Sequence, residues 1–349
     1  MNRQNIYDNV LIIHNAVDKG LTARDRTVFE ESNAGLIEEV RAVTETLETL
    51  GIKYQVKSIE TIEQLPDILT GSRQRIIFNL VEELPDDILH ACYVPAICQA
   101  HGRTCTGSGT PALILAQNKW QAKAVFKAAD VPSPDSTIVP IGQKIRRKDL
   151  SPGKYVVKPV FSDASEGINA DSVVDLPSMA LHEAIKKIHT QFKQPALVEQ
   201  FIPDRELNVS LLQQNNEVKV LPIAEIDFGA FDANNMRIVD YSAKWHVDSF
   251  AYNNTPRIIP AQLSEEIVSL VQQYALAAWN AIGCQDYARV DFRMDCNEQI
   301  FVLEVNPNPD ISADAGFAAA LEAGGITYKK FIETLLNNTL MRNSNKSLF

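Results

Sequence analysis

The segment Y-A-R-V-D-F-R-M-D-C-N-E-Q-I-F-V-L-E-V-N-P-N-P at 287–309 holds two alternating runs on either side of a polar turn, Asp295-Cys296-Asn297-Glu298. An antiparallel hairpin about that turn sets Asp291 opposite Glu304, thirteen positions further on. Strand side chains alternate between faces, so Arg289, Asp291, Glu304 and Asn306 share one face while Val290, Phe292, Leu303 and Val305 pack beneath the other. Two carboxylates and an amide oxygen then converge beside a guanidinium. Hard oxygen donors of this kind suit magnesium, which takes one or two carboxylates together with substrate phosphates. The segment reads as a metal-nucleotide site, and equally as a half-buried hairpin whose polar face meets water. The rest of the chain has to separate the two.

The 349 residues exceed the size at which one hydrophobic core keeps growing, so two or three domains are expected. A net charge of -11 gives no general attraction for nucleic acid or an anionic membrane, although local basic sites can still hold phosphates. The first residues lack a charged head followed by a long apolar stretch, and no later run is long enough to span a bilayer. A cytoplasmic protein is expected. The five cysteines contain no C-x-x-C pair, and the six histidines show no metal-ligand spacing, so neither a disulfide framework nor a zinc site is indicated.

Along the chain, a short apolar strand at 9–13, a helix at 34–50 closed by Gly51, and strands at 54–59 and 75–80 outline a βαβ-type first domain with a parallel sheet. A helix at 118–129 comes next, ended by V-P-S-P, through which helix geometry cannot continue. A β-rich remainder begins there.

Three middle features bear on chemistry. In Y-V-V-K-P, Lys158 ends an apolar strand before a loop of small residues at 162–167, and the amides of such a loop can form an anion concavity with the lysine. In A-L-V-E-Q-F-I-P-D-R-E, an apolar strand carries Glu199 and a second begins near Glu206, a layout that pairs backbone groups with an adenine edge and an acid with ribose hydroxyls. In V-D-Y-S-A-K-W-H, Lys244 stands in a strand-like stretch beside Trp245. Each has a plainer reading: a lysine at a strand end, two exposed glutamates, and a surface lysine laid along apolar neighbours.

Taken in order, Q-N-K-W, V-V-K-P, V-E-Q-F-I-P-D-R-E, Y-S-A-K-W, A-R-V-D-F and L-E-V-N-P-N-P resemble the ATP-grasp ligases, specifically the D-alanine-D-alanine ligase-like branch, over about 78–336. The resemblance implies an α/β (α+β) fold of three domains: an N-terminal α/β domain at 1–117, a central lid domain at 118–205 and a C-terminal catalytic domain at 206–349, with ATP clasped between the last two. It implies Lys119, Lys158 and Ser165 as nucleotide phosphate contacts, Glu199 and Ile202 as the adenine connector and Glu206 as the ribose acid. Lys244 resembles the γ-phosphate lysine. Asp291, Glu304 and Asn306 resemble ligands of two magnesium ions, with manganese as a substitute, and Arg289 the residue that steadies the phosphorylated intermediate. Glu30, Trp245, Asp310 and Ala315 fall at substrate-contacting positions. The small-residue loop at 162–167 is the lid, and a homodimer is in keeping with the branch.

Departures from the family pattern concern the substrates. Ala164-Ser165 replaces a serine pair in the lid, and Trp245 replaces the tyrosine after the γ-phosphate lysine. Pro309-Asp310 stands for P-G, Ala315-Gly316 for S-L, and Glu82-Glu83 where an H-G-x-x-G-E-D-G stretch would begin. The ATP half is kept while the substrate pockets are rebuilt. The resemblance thus implies an ATP- and magnesium-dependent C-N ligase that joins an amino group, expected to be that of a small amino acid, to a phosphate-activated carboxylate or enolate-like oxygen, with release of ADP and phosphate. Alternatives are a mycosporine-like amino acid ligase, an authentic D-alanine-D-alanine ligase, or a non-catalytic nucleotide-binding protein on the same fold. An ionised Asp310 in the acceptor loop predicts that D-alanine is a poor acceptor, unless the aspartate instead caps the segment just after it.

Overall fold

The computed structural model describes residues 9–16, 26–85, 87–145, 150–162, 168, 172–176, 179–231, 236–239 and 249–345. Ser165, Lys244 and Trp245 lie outside the described residues, and Glu30 is described only as part of a helical backbone.

Strands β1 (Val10–Asn15), β2 (Tyr54–Ile59), β3 (Ile76–Leu80) and β4 (Thr104–Cys105) form a parallel sheet in the order β2-β1-β3-β4. Strands β1 and β3 read as near-continuous apolar runs because both of their faces are covered, as parallel sheets require. One face, with Leu11, Ile13 and Ile77, packs on Leu65 and Leu69 of α2 (Leu65–Thr70) and on Val94 and Cys98 of α3 (Val94–Ala100). The other face, with Ile12 and Phe78, meets Val43 and Leu47 of α1 (Arg26–Thr49). It also meets Phe331 and Leu335 of the last helix, Tyr328–Asn345. The chain's end therefore closes the core of its beginning. Helix α1 starts earlier than its apolar periodicity predicts, and Gly51 comes after it in the left-handed region at φ 68°.

Strands β5 (Ser136–Val139), β6 (Gly153–Pro159), β7 (Val173–Leu176) and β8 (Ala196–Gln200) make an antiparallel sheet in the order β5-β8-β6-β7, backed by Leu181 and Ile185 of α6 (Ala180–Lys187). The third sheet holds β9 (Arg205–Gln214), β10 (Glu217–Val220), β11 (Ala224–Ile226), β12 (Arg257–Ile258), β13 (Tyr287–Met294) and β14 (Ile300–Asn306). Its order is β12-β11-β9-β13-β14, with β10 paired to β9.

Helix Glu265–Ile282 lies behind that sheet, placing Val271, Ala275 and Trp279 against Val209, Val290 and Val302. The Ser264 hydroxyl caps its start by accepting from the Ile267 N–H at 3.3 Å, and Gly283 ends it at φ 78°. A Cβ at Gly283 would meet nothing within 4 Å, so the cost of Gly283→Ala is backbone strain alone. The variant is expected to lose about 1 kcal/mol, read as a shift of the urea midpoint without a change of slope.

Helix α4 (Thr110–Gln117) leads through Asn118 into α5 (Lys119–Ala128), whose start is capped by Asn118 Oδ1 accepting from the Gln121 N–H at 3.0 Å. Ala122 and Phe126 of α5 join the same core as Val209 and Val302. That anchors α5 to the third sheet and leaves Lys119 and Lys123, one turn apart, on another of its faces. Among the described residues no helix is long and apolar enough to cross a membrane.

Candidate active site

The hairpin forms with the register read from the sequence: Asp291 pairs Glu304 and Arg289 pairs Asn306. One expectation fails. The register shifts after Asp291, so Phe292 pairs Val302 rather than Leu303. Val302 is fully buried in the core, while Leu303 turns to the opposite side and lines the cleft beside Glu304. A β-bulge adds one residue to one strand and so reverses the facing of the residues beyond it. The turn itself is stabilised by Asp295, whose Oδ1 accepts the N–H groups of Asn297 and Gln299, both at 2.9 Å.

Strand β9 lies on the other side of β13, where Asn208 pairs Asp291 and Glu206 pairs Arg293. Facing pairs in a sheet put their side chains on the same side, which brings Asn208 Nδ2 to 2.8 Å from Asp291 Oδ1. Arg289 grips Asp291 with two bonds, Nε to Oδ1 at 2.7 Å and Nη2 to Oδ2 at 2.9 Å. Lys119, from the first turn of α5, donates to Glu304 Oε2 at 2.7 Å. Two adjacent carboxylates, each already drawn to a cation, mark the place where positive charge gathers.

The second cluster is deeper. Lys158 on β6 and Glu199 on β8 are diagonal neighbours, within reach of long side chains, and Lys158 Nζ donates to Glu199 Oε1 at 2.8 Å. Lys123, on the same face of α5 as Lys119, brings Nζ to 2.5 Å from Glu199 Oε2. All three residues are buried. Burial pushes the Glu199 carboxyl up, but the two ammonium groups outweigh it and hold the acid below its ordinary range. Burial and the neighbouring Lys158 lower the Lys123 ammonium, against the pull of Glu199. Glu199 is therefore an ionised acceptor at the cleft wall.

Between these clusters runs the connector 201–204. Arg293, almost wholly buried, pins it by donating Nε to the Ile202 carbonyl at 2.9 Å and Nη1 to Glu206 Oε2 at 3.0 Å. Phe201 lies under the same guanidinium, 5.5 Å from its ring centre. A cleft open to solvent separates the second and third sheets here. Lys119, Lys158, Glu199, Ile202, Glu206, Asp291 and Glu304 all line it, so the structure brings seven residues that the resemblance singled out to one cleft. Arg289 and Asn306 flank it by register.

Asp310 and Ala315 stand apart from that cleft. Asp310 Oδ1 accepts the Ser312 N–H at 2.7 Å, so this aspartate caps the segment after it, the second of the two readings its position allowed. The loop is fastened from below by Glu39 of α1, whose Oε1 accepts the Ile311 N–H at 3.1 Å. Burial, Glu82 and Asp310 all push the Glu39 carboxyl well above its ordinary range. Ala315 is buried and precedes helix Gly316–Ala323.

Lys123, Arg293 and Asn208 were missed by the motif reading. Period two from Arg289 and Asp291 already assigns Arg293 to the site face, and a spacing of four assigns Lys123 to the face of Lys119. Asn208 carried no signal, because its partner strand is more than eighty residues away.

The donor chemistry can be tested against a divalent cation. Among the described residues no three His, Cys, Asp or Glu side chains gather into a ready cage. Two facing carboxylates and the Asn306 amide do meet what magnesium asks of a protein when nucleotide phosphates complete its shell. The set fits a metal bound with nucleotide rather than alone.

The model of the D-ala D-ala ligase C-terminus matches residues 147–337. An uncharacterized protein of Sinorhizobium fredii, y4sG, is 32% identical over 83% of this chain and 82% of its own length. The D-alanine–D-alanine ligase of Carboxydothermus hydrogenoformans is 32% identical over 66% of this chain and 71% of its own. The crystal structure of the D-alanine–D-alanine ligase of Bacillus anthracis complexed with ATP superposes with a TM-score of 0.70 over 97% of this chain and 99% of that one, at 17% identity. With a parallel N-terminal sheet, two antiparallel sheets facing a cleft and these matches across its length, the chain belongs to the ATP-grasp family of D-alanine-D-alanine ligase-like proteins.

Proposed function

We propose that the protein is an ATP- and magnesium-dependent ligase that activates a carboxylate or similar oxygen of one small substrate by phosphorylation and joins it to the amino group of an amino acid. The observation that carries this reading is one cleft lined by Lys158 and Glu199, the latter also paired with the buried Lys123, together with the facing Asp291–Glu304 pair. Glu199 suits an adenine edge, since an ionised, buried carboxylate accepts from an exocyclic amine. Lys119 and Lys158 suit phosphates. Asp291, Glu304 and Asn306 would hold magnesium, which supplies charge neutralisation for the polyphosphate.

In this reading Lys119 and Lys158 orient the phosphates, Glu206 receives the ribose and Arg289 steadies negative charge on the transferred group and on the oxyanion of the amine adduct. Two anions must approach for an oxygen to attack the γ-phosphorus, and the cations lining the cleft lower that repulsion. The amine then displaces phosphate, and exclusion of water by the segment after Ser162 keeps the activated ester from hydrolysing. D-alanyl-D-alanine formation is a second reading, supported by the named activity of several relatives. Asp310 no longer argues against it, because its carboxylate is engaged by Ser312.

The test incubates protein, ATP and magnesium with pooled amino acids, D-alanine and candidate carboxylate acceptors, and reads phosphate release with product mass. Release that requires two substrates and yields their conjugate supports the ligase. Tight ATP binding without turnover for any pool would replace it with a binding role. In the same assay Lys158→Ala is expected to weaken ATP about 10–100-fold, the value of one charge-assisted contact, and to lower turnover as well. An unchanged nucleotide affinity by calorimetry would leave Lys158 as a structural partner of Glu199 only.

A further inference from the structure

Lys123 is buried against Glu199 but does not line the nucleotide cleft, whereas Lys158 and Glu199 both do. The two lysines thus share one carboxylate from different sides. Lys158 Nζ donates to Oε1 at 2.8 Å from the cleft wall, and Lys123 Nζ stands 2.5 Å from Oε2 behind it. Glu199 is the sole ion-pair partner of Lys123 among the described residues.

The two cations differ in what they can reach. Ala122 and Phe126, on either side of Lys123 in the chain, lie in the core with Val209 and Val302 and fix α5 to the third sheet. The first residue of α5 is tied as well, its Lys119 N–H donating to the Val160 carbonyl at 3.1 Å. Lys123 therefore cannot turn into the cleft without undocking its helix. Lys158 is already there. A polyphosphate entering the cleft attracts the ammonium that can reach it, and the flexible stem of a lysine permits the move. Glu199 Oε1 is then vacated, and the exocyclic amine of adenine can take the place of the ammonium.

One donor replaces another only if Glu199 remains an anion throughout. Without Lys123 it would be a buried carboxylate facing a neutral amine, and a group so placed takes up a proton instead. Its hydrogen bond to the amine then falls to that between two neutral groups. We propose that Lys123 is the positioning residue for base selection: as the counter-ion that stays, it keeps Glu199 a charged acceptor after Lys158 leaves for the phosphates. The cleft consequently takes a base with an exocyclic amine over one without it. This rests on the nucleotide reading of the cleft, and Lys123 acts only through Glu199.

The experiment compares ADP with the diphosphate of purine riboside, which lacks only the exocyclic amine, by calorimetry in the presence of magnesium. The wild type is expected to favour ADP about 10–100-fold, the value of one charge-assisted contact. Lys123→Met should cut the preference to about 2–5-fold, that of a neutral hydrogen bond, while Lys123→Arg retains most of it. Lys127→Met, at an exposed position on the same helix, should leave it unchanged. Loss of structure alone would weaken both nucleotides alike, so the ratio separates positioning from folding, with the thermal midpoint as a further control. Lys158→Ala decides the matter even if Lys123→Met does not fold: both nucleotides should weaken while their ratio stays at the wild-type value. A folded Lys123→Met protein that keeps the preference, or a Lys158→Ala protein that loses it, would overturn the proposal and leave the nucleotide cleft standing. Equal binding of the two nucleotides by the wild type would do the same. Binding of neither would overturn the cleft reading together with the proposal.

Discussion

Glu304→Gln lowers turnover by about 10²–10⁴-fold, the loss expected when several kcal/mol of charge stabilisation leave a phosphoryl-transfer site. Glu304 faces Asp291 across the hairpin and receives Lys119 at 2.7 Å, so the substitution removes one negative charge from the place where magnesium would gather. The fold should survive. Glutamine still offers Lys119 an oxygen, and the lost charge-assisted bond is worth about 1–2 kcal/mol at a partly exposed position. The assay reads phosphate release across a magnesium titration, with the thermal midpoint as the control for folding. Turnover within a few-fold of wild type at ordinary magnesium would take Glu304 out of the site.

The second large effect belongs to stability. Glu199→Gln leaves the Lys123 and Lys158 ammonium groups together in the protein's interior with no anion between them, and breaking a buried charge cluster in this way costs about 3–5 kcal/mol. The pH dependence carries a sign. Because the wild-type Glu199 pKa is depressed on folding, its contribution is complete above the unfolded value, near about 4.3, and is lost as pH falls through the folded value. The variant should lack that acidic component. Lys123 already holds its proton less tightly in the folded state, and without Glu199 more so. The unfolded chain then binds more protons than the folded one, so the variant should regain stability as pH rises toward about 10. Denaturant melts of both proteins across pH check this. Equal stability near neutrality, or a variant that weakens further at alkaline pH, would contradict the cluster. Lys123→Met added to Glu199→Gln should recover part of the loss, since it removes one of the stranded charges.

The hairpin at 287–306 was legible in the sequence because strand register is a local property with a period of two, and one polar turn sets it. The same periodicity extended to Arg293, and the four-residue period of α5 extended to Lys123, although neither carried a family motif. The α/β order of the first sheet could be read from its apolar runs, which need cover on both faces.

What the sequence by itself determined is thus the strands of the first sheet, the helix after Asn118 and the side that Arg289, Asp291, Glu304 and Asn306 share, since helix and strand periods come from backbone geometry within a few residues. Tertiary structure alone decided which faces meet. The bulge after Asp291 exchanged Val302 for Leu303 in the core, a choice made by packing against α5 and helix Glu265–Ile282. Lys123 and Glu199 are 76 positions apart and meet only when α5 docks beside β8, while Asn208 reaches Asp291 only because β9 inserts between β11 and β13. Charges so placed are stabilised by partners that no local pattern announces, because pairing at that distance depends on how much apolar surface the intervening elements bury together.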